Sequence, residues 1–357
     1  MQKSFKISTP GRICLFGEHQ DYLNLPVIAC AISLRIAITG SRRKDLTINL
    51  DLPDIGERNS FSIASDIAYT EDKDYFKSVV NVLLRKGLTF SAGFDCTVKG
   101  DIPINAGTSS SSALVVTWVN FLAQMSDQAV QLSEEEIAEF AYQAEVLEFS
   151  QAGGMMDQYS TALGGTIFLD SRPKIAIERL PADLRTFVLG DSEEAKDTQE
   201  ILGRVKERVF EIVRRLKKKR PGFSLGGIRR EDVYEFAEDL SPEQLELLHG
   251  TVRNYEITLD AKEILLQTSL NHNRLGSLLN QHQSILRDVL KISTPKIDRM
   301  IAAALEAGAY GAKINGSGGG GCMFAYAPHN SQQVLQAIER AGGKSWLVNV
   351  DEGTRIG

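Results

Sequence analysis

The sequence predicts an α+β fold divided into two domains, and two features support that expectation. The chain has 357 residues, 43% of them hydrophobic and 24% charged, which is typical of globular proteins and enough for two cores. Short apolar or alternating segments, typical of strands, occur along the chain between segments with helical periodicity. Such a mixture favours helices packed against sheets.

Composition and charge restrict the class of partner. The net charge of -6 disfavours nucleic-acid binding, because a phosphate backbone is held by an excess of Lys and Arg. The first residues lack the apolar core of a signal peptide and no apolar run approaches a membrane span, so we expect no membrane contact and a cytoplasmic location. The cysteines form no C-x-x-C pair and predict reduced, buried thiols: Cys14, Cys30, Cys96 and Cys322.

A polar cluster surrounds the first predicted strand, residues 13–16. Arg12 lies at its start, and Glu18, His19 and Asp21 lie at its exit. Strand exits often carry function, and two carboxylates with an imidazole are strong acceptors for the hydroxyl groups of a polyol or sugar. The alternative is a polar surface turn.

Further strands and one helix are predicted before the next polar loop. Strands are expected at 27–39, 46–50, 61–63 and 94–98, and an amphipathic helix at 74–84. The strands at 46–50 and 61–63 are expected at a sheet edge. The strand at 94–98 leads directly into a serine-rich segment.

Residues 103–113, called the serine loop below, contain Gly107 and five consecutive hydroxyl residues, and they run into an apolar helix at 114–122. Unpaired N–H groups and the helix dipole bind anions at such a helix start. The hydroxyl groups can also donate to phosphate oxygens or reach Mg²⁺. The alternative is a well-capped buried helix. The loop lacks the lysine of the G-x-x-x-x-G-K-[ST] motif.

Two acidic residues stand out after that helix. A capping box at Ser133 predicts a helix to about residue 149, and Glu145 lies in its apolar stripe. A buried carboxylate needs a metal ion or an arginine beside it, unless it reaches solvent from the edge of the stripe. Asp157 follows Gly153 and Gly154, which let the chain pass close to a ligand. Alone, Asp157 would be an ordinary helix N-cap.

A glycine-rich segment at residues 315–321, called the glycine loop below, lies between two apolar strands near the C-terminus. So many glycines cost conformational entropy, and a hairpin needs only one or two. The loop is therefore expected to pack against a ligand or against the serine loop. An amphipathic helix is also predicted at 201–216, ending in a solvated basic cluster.

These motifs together resemble the GHMP kinase superfamily, and within it the galactokinases. The stretch from Arg12 to Tyr22 resembles the signature G-R-x-x-L-x-G-E-H-x-D-Y. The serine loop resembles P-x-G-x-G-L-S-S-S-A-A, and residues 311–322 resemble G-A-x-x-x-G-x-G-x-G-G-C. Glu145 and Asp157 match the galactokinase spacing of a metal-binding glutamate and a catalytic aspartate. The similarity covers most of the chain.

The resemblance implies a two-domain GHMP kinase fold with the active site in the cleft. A ribosomal protein S5 domain 2-like domain with the sugar and ATP phosphate loops is expected over residues 1–180, and a ferredoxin-like domain over residues 181–357. The implied reaction uses ATP and Mg²⁺ to phosphorylate a small-molecule sugar. We expect a monomer or a homodimer.

The same resemblance implies roles for individual residues. Asp157 would face the attacking hydroxyl, with Arg12 beside it. The nucleotide phosphates would be bound by Gly107, Thr108, Ser109, Ser110, Ser111, Ser112 and Gly318. Mg²⁺ would be held by Ser111 and Glu145, and the sugar by Glu18, His19, Asp21 and Gly154. Such a set is coherent, because phosphoryl transfer needs positioning, a cation on the phosphates and an oriented hydroxyl.

Two positions and one stretch depart from the family pattern. Asn105 stands where the family has its first glycine, and Thr108 where it has leucine, so the adenine side of the serine loop is expected to differ. The acidic, lysine-containing stretch 191–198 is unlike the galactokinase segment. We hypothesise that it faces the sugar pocket and alters which sugar fits; the alternative is a plain surface loop.

The leading hypothesis is a sugar kinase acting on the anomeric hydroxyl of galactose or a close relative. An isoprenoid-pathway kinase of the mevalonate type is a second hypothesis, although its carboxylate substrate should require a basic pocket. A third is a sugar and ATP sensor without catalysis, which the presence of Arg12, Glu145 and Asp157 disfavours.

Overall fold

Helices and strands alternate along the described residues, 4–195 and 198–357, of this computed structural model. The strands are β1 (Phe5–Phe16), β2 (Val27–Arg42), β3 (Thr47–Leu52), β4 (Glu57–Ser62), β5 (Phe94–Gly100), β6 (Thr166–Asp170), β7 (Ala176–Arg179), β8 (Thr186–Asp191), β9 (Gly311–Ile314), β10 (Cys322–Tyr326), β11 (Lys344–Asn349) and β12 (Arg355–Ile356). The α-helices are α1 (Tyr75–Arg85), α2 (Ser110–Met125), α3 (Glu134–Tyr142), α4 (Met156–Leu163), α5 (Thr198–Lys219), α6 (Pro242–Leu265), α7 (His272–Ser284), α8 (Pro295–Glu306) and α9 (Ser331–Arg340). Two π-helical turns, Gln143–Leu147 and Ile285–Val289, continue α3 and α7.

Two sheets organise the described residues, which confirms the predicted α+β fold. The first has the order β12-β1-β2-β5-β3-β4, with β6 paired to β2 and β7 paired to β6. The second has the order β11-β8-β10-β9. The sheets change over between β7 and β8, close to the predicted division at residue 180, but β12 pairs with β1 and so returns to the first sheet. The division at residue 180 itself stays a prediction.

Helix α2 forms the centre of the first core. Its apolar residues continue around the helix, so nearly every side chain from Ser112 to Ala123 is buried. Trp118 stacks on Phe121 with ring centroids 5.5 Å apart, and its Nε1 donates to the Phe76 carbonyl at 3.0 Å. The serine loop therefore precedes a rigid helix.

A further apolar cluster joins the two halves. Phe16 and Ile28 of the first sheet belong to the same buried cluster as Phe187, Leu189 and Phe324 of the second. Burial of such side chains stabilises by about 1.5–3 kcal/mol each. The cleft between the halves is consequently supported by a shared core.

Several predicted boundaries were wrong for tertiary reasons. Strand β1 begins before Pro10 and passes through it with a bulge, because β2 pairs with it on both sides of the irregularity. Strand β3 lies between β4 and β5 and is not an edge strand. The helix after Ser133 has the predicted capping box but becomes π-helical at Gln143.

The four cysteines are buried and free, as predicted. Within the described ranges, no helix has the length and apolar character needed to cross a bilayer.

Candidate active site

A cavity of about 250 Å³ brings most of the predicted site residues together between the two halves. Its wall includes Arg12, Glu18, His19, Asp21, Gly107, Ser109, Ser110, Ser111, Ser112, Glu145, Gly154 and Asp157. Segments more than a hundred residues apart in sequence thus meet at one site. Thr108 and Gly318 are outside this wall.

The serine loop presents an unpaired hydroxyl at the start of α2. Ser109 adopts a left-handed conformation with φ 59° and makes no side-chain capping hydrogen bond. Its Oγ is buried and has no partner within the described chain. A buried hydroxyl without a partner is costly, and a ligand oxygen in the cavity would satisfy it. The alternative of an ordinary capped helix does not explain this arrangement.

The glycine loop packs against the serine loop, which is one of the two outcomes predicted for its excess of glycine. A Cβ on Gly316 would lie 2.8 Å from the Gly107 carbonyl oxygen. Asn315 Nδ2 donates to the same carbonyl at 2.9 Å, and the Cys322 N–H donates to the Ala106 carbonyl at 2.7 Å. The backbone at Gly316 has φ 77°, so glycine suits both its conformation and its space.

Thr108 and Gly318 support these loops from behind. Thr108 is fully buried; its Oγ1 donates to the Pro103 carbonyl at 3.3 Å, and its carbonyl accepts the Arg12 N–H at 3.2 Å. Gly318 packs closely against Ile292. Neither residue lines the described cavity, so the structure does not support their predicted contact with nucleotide phosphates.

Arg12 joins Asp157 to the serine loop. Its Nε donates to Asp157 Oδ1 at 2.9 Å, a second guanidinium nitrogen lies 2.8 Å from the same oxygen, and a third donates to the Gly107 carbonyl at 2.5 Å. Asp157 lies in the first turn of α4 and keeps 33% of its side chain exposed, whereas Arg12 keeps 4%. The carboxylate is therefore fixed but still open to the cavity.

Glu145 is a buried carboxylate without a cation beside it in the described chain. It lies on the π-helical turn Gln143–Leu147, a feature often found at functional sites. Gln158 Nε2 donates to its Oε2 at 2.6 Å. Burial raises the pKa of Glu145, and hydrogen bonds from Gln158, Ser112 and Ser111 oppose that rise. A carboxylate and a serine hydroxyl facing a cavity are donors that a hard cation such as Mg²⁺ accepts.

Glu18 has a different environment from the one predicted. Its Oε2 forms an ion pair with Lys313, whose Nζ also donates to the carbonyls of Cys14 at 2.9 Å and Ile314 at 2.7 Å. Its Oε1 accepts the backbone N–H of Gly316. Both oxygens of Glu18 are therefore engaged by the second half of the chain. Glu18 still lines the cavity and each oxygen keeps a lone pair, so its predicted contact with sugar hydroxyl groups stays a prediction.

His19 is engaged in a similar way. Its Nδ1 lies 2.8 Å from the Tyr22 hydroxyl and its Nε2 lies 3.0 Å from the Ser317 carbonyl. Since the carbonyl only accepts, Nε2 is the protonated nitrogen and Nδ1 accepts from Tyr22. The ring thus links the exit of β1 to the glycine loop, and the predicted contact with sugar is not supported through its nitrogens.

Asp21 and Gly154 face the cavity beside Asp157. Asp21 accepts the N–H of Tyr22 at 2.9 Å and that of Met156 at 3.4 Å, so lone pairs remain for a ligand. Burial, and then repulsion from Asp157, raise the pKa of Asp21 to about 6. A Cβ on Gly154 would overlap the Asp21 carboxylate. Glycine is therefore needed there for the two segments to approach.

Several wall residues were not among the predicted site residues. They are Tyr22, Lys73, Tyr75, Gln151, Thr198, Gln199, Leu202 and Ser317. Gln199 and Leu202 begin α5, directly after the stretch 191–198 that we hypothesised to face the sugar pocket. Of that stretch, Thr198 reaches the cavity, and Lys196 and Asp197 lie outside the described residues. The hypothesis about sugar choice stays a prediction.

Comparison with known proteins gives the family. Residues 74–165 match the GHMP kinases N terminal domain, residues 261–344 the GHMP kinases C terminal domain, and residues 2–42 the galactokinase galactose-binding signature. A mevalonate kinase of Pyrococcus furiosus is 30% identical over 363 residues, which cover 98% of this chain and 97% of that protein. A galactokinase of Haemophilus influenzae is 29% identical over 346 residues, covering 93% and 87%.

Solved structures show the same fold. Lactococcus lactis galactokinase complexed with galactose has a TM-score of 0.88 at 21% identity, covering 99% of this chain and 95% of that one. Methanococcus jannaschii mevalonate kinase has a TM-score of 0.75 at 18% identity, covering 99% of both. Fold and site define a phosphotransferase that uses ATP. The chain belongs to the GHMP kinases and is galactokinase-like in its N-terminal signature.

The buried ion pair gives a first prediction. Lys313→Met leaves the Glu18 carboxylate buried without its counter-charge, so we expect a loss of about 3–5 kcal/mol in the free energy of unfolding, measured in urea. Adding Glu18→Gln should recover part of that loss. Lys99→Met, at an exposed lysine, is the matched control and should change stability by less than about 0.5 kcal/mol. Equal stability of Lys313→Met and the wild type would contradict this account.

The raised pKa of Asp21 gives a second prediction. A carboxyl group whose folded-state pKa is raised contributes stability at low pH and loses it as pH rises through that pKa, here about 6. Asp21→Asn avoids this loss. Its unfolding free energy relative to wild type should therefore increase by roughly 1–2 kcal/mol between pH 4.5 and pH 7.5. Exposed Asp101→Asn is the control; a pH-independent difference for Asp21→Asn would contradict the prediction.

Proposed function

We propose that this GHMP kinase is a sugar kinase that transfers phosphate from ATP to the anomeric (C1) hydroxyl of a monosaccharide. The observation that carries the proposal is the position of Asp157. Arg12 holds it next to the serine loop, while its exposed part faces the same cavity as Asp21 and Gly154. A substrate hydroxyl at Asp157 would therefore lie between the serine loop, which can bind phosphate, and the Asp21 carboxylate, which can accept hydrogen bonds from the other hydroxyl groups of a sugar.

The serine loop would bind the phosphate groups of ATP. Its donors are the hydroxyl groups of the loop and the N–H groups at the start of α2, including the unpaired Ser109 Oγ. Ser111 and Glu145 would hold Mg²⁺, which supplies neutralising charge on the phosphates when bound. Glu145 suits that role because it is buried and has no cationic side chain beside it among the described residues.

Asp157 would accept the proton of the attacking hydroxyl or orient that hydroxyl. Arg12 forms a direct ion pair with Asp157 and so holds the carboxylate in one orientation for either task. Arg12 also donates a hydrogen bond to the Gly107 carbonyl. One rigid guanidinium group therefore sets the distance between Asp157 and the serine loop. Positioning of this kind is the main contribution a kinase makes.

The part of the cavity around Asp21, Gly154 and Asp157, called the acceptor end below, favours a neutral polyol as the molecule that receives the phosphate. Asp21 and Asp157 provide carboxylates there, and both are suited to hydroxyl groups. Among the described wall residues, the Arg and Lys side chains are Arg12, already paired with Asp157, and Lys73. The galactose-binding signature at residues 2–42 agrees with this chemistry.

A mevalonate-type kinase is the second candidate. It is favoured by the 30% identity to the Pyrococcus furiosus mevalonate kinase along almost the whole chain. Its substrate carries a carboxylate, which would have to enter a region already holding Asp21 and Asp157. We rank it below the sugar kinase for that reason.

A panel of acceptors separates these candidates and is the third prediction. Free hexoses, pentoses, uronic acids and mevalonate are incubated with ATP and Mg²⁺, and ADP and the phosphorylated position are measured. We expect a neutral sugar phosphorylated at C1 to have the highest kcat/KM. Turnover of mevalonate alone would overturn the sugar assignment, and no ADP above background with any acceptor would favour a sensor without catalysis.

Asp157→Asn provides the fourth prediction. We expect turnover to fall by at least about 10²-fold, the usual contribution of a general base, with nucleotide binding nearly unchanged because the serine loop remains intact. Measurements are ADP release and nucleotide titration, with exposed Asp66→Asn as the control. Loss of nucleotide binding in Asp157→Asn would show that its role is misassigned.

A further inference from the structure

The loop at residues 151–154 connects the segment of Glu145 to the helix of Asp157, and it carries Gly154 at the cavity wall. Two of its residues are glycines, and a Cβ on Gly153 would meet nothing within 4 Å. Ordering glycines costs conformational entropy, so a loop this short and open needs contacts from outside to keep one position.

Those contacts come from α5, in the second half of the chain. The Ala152 N–H donates to Gln199 Oε1 at 3.3 Å. The Ala152 carbonyl accepts from Lys206 Nζ at 3.1 Å. Both backbone polar groups of Ala152 are thus satisfied by side chains two helical turns apart on one helix.

An amide pair extends this connection to the proposed metal site. Gln199 Nε2 donates to Gln151 Oε1 at 3.1 Å. Gln151 Nε2 in turn donates to the Glu145 carbonyl and to the Tyr75 hydroxyl, each at 2.8 Å. The side-chain oxygen of Gln151 therefore accepts a hydrogen bond from α5, and its two N–H groups donate to residues of the first half of the chain.

Lys206 also contacts Tyr22, the neighbour of Asp21 in the chain. Its Nζ lies 5.4 Å from the centre of the Tyr22 ring, within the range of a cation–π contact. Tyr22 bonds to His19 and lines the cavity together with Asp21. One helix consequently contacts both segments that border the acceptor end.

We propose that Gln199 and Lys206 are positioning residues for the acceptor: from the second half of the chain they fix the loop at residues 151–154, and with it Gly154 relative to Asp157. The proposal rests on the proposed function and refines its acceptor site. Within the described residues, the hydrogen bonds of Gln199 and Lys206 go to Ala152 and Gln151 and not to the serine loop, so the nucleotide site should be independent of them.

The consequence is an asymmetric effect on the two substrates. Removing Gln199 or Lys206 should free the loop and weaken acceptor binding, while the ATP site keeps its donors. A general loss of stability would affect both substrates alike. The split between the two KM values therefore distinguishes positioning from a merely structural contact.

The test compares Gln199→Ala and Lys206→Met with Gln332→Ala and Lys218→Met, which change exposed residues of the same types. Hydrogen exchange at the Ala152 amide is measured without substrates, followed by the KM for ATP and for the best acceptor of the panel. For Gln199→Ala we expect about five- to tenfold faster exchange, the change that loss of one partly buried hydrogen bond implies. For both variants we expect a several-fold higher acceptor KM with ATP KM within about twofold. Lys206→Arg, which can still donate to Ala152, should remain close to the wild type.

Unchanged exchange and unchanged acceptor KM would overturn the proposal, as would a lower melting temperature with equal effects on both substrates. The exchange measurement needs no turnover. If no acceptor is phosphorylated even by the wild type, the proposed function fails, and faster exchange still supports the anchoring of the loop whereas unchanged exchange rejects it.

Discussion

The buried ion pair between Lys313 and Glu18 is the constraint on which the site depends. Taking two charges out of water is expensive, and the cost is offset only when geometry is good and the remaining donors and acceptors are satisfied. Here they are: Lys313 also donates to two carbonyls and Glu18 also accepts the Gly316 N–H, so strand β9 is held against the exit of β1. Because Gly316 in turn packs on Gly107, the pair sets the position of the glycine loop against the serine loop. An anion site built from one half of the chain is thereby supported by the other.

The same arrangement explains why two costly buried groups persist in the cavity. In the described chain the Ser109 hydroxyl has no partner, and the Glu145 carboxylate has hydrogen bonds but no cation beside it, so each costs stability. They remain in place because a rigid buried helix, α2, and a π-helical turn hold them, and because the shared apolar cluster prevents the halves from relaxing apart. Buried polar groups of this kind are usual where a ligand supplies the missing partner.

Local patterns predicted the parts of this site that local physics determines. Three local patterns predicted backbone structure that is observed. They are the apolar run after the serine loop, the capping box at Ser133 and the excess of glycine at 315–321. Partners across the fold were not predictable in that way. Glu18 and His19 read as free acceptors, but their partners Lys313 and Ser317 lie almost 300 residues away, and no periodicity relates them. Gln199 gave no signal because an amide at a helix start is ordinary until the loop it contacts is known.

The acceptor end shows why overall identity and substrate preference need not agree. Identity counts every position of the chain, whereas discrimination between a polyol and a carboxylate depends on the few groups that face the substrate. Burial, and then repulsion from Asp157, raise the pKa of Asp21 and so disfavour negative charge there. A substrate carboxylate would increase that repulsion, and the nearest guanidinium, Arg12, is committed to Asp157 and Gly107. A hydroxyl group has the opposite effect, because it donates to Asp21 and favours its ionised form. These charges are the physical support for the proposal of a hydroxyl-rich acceptor.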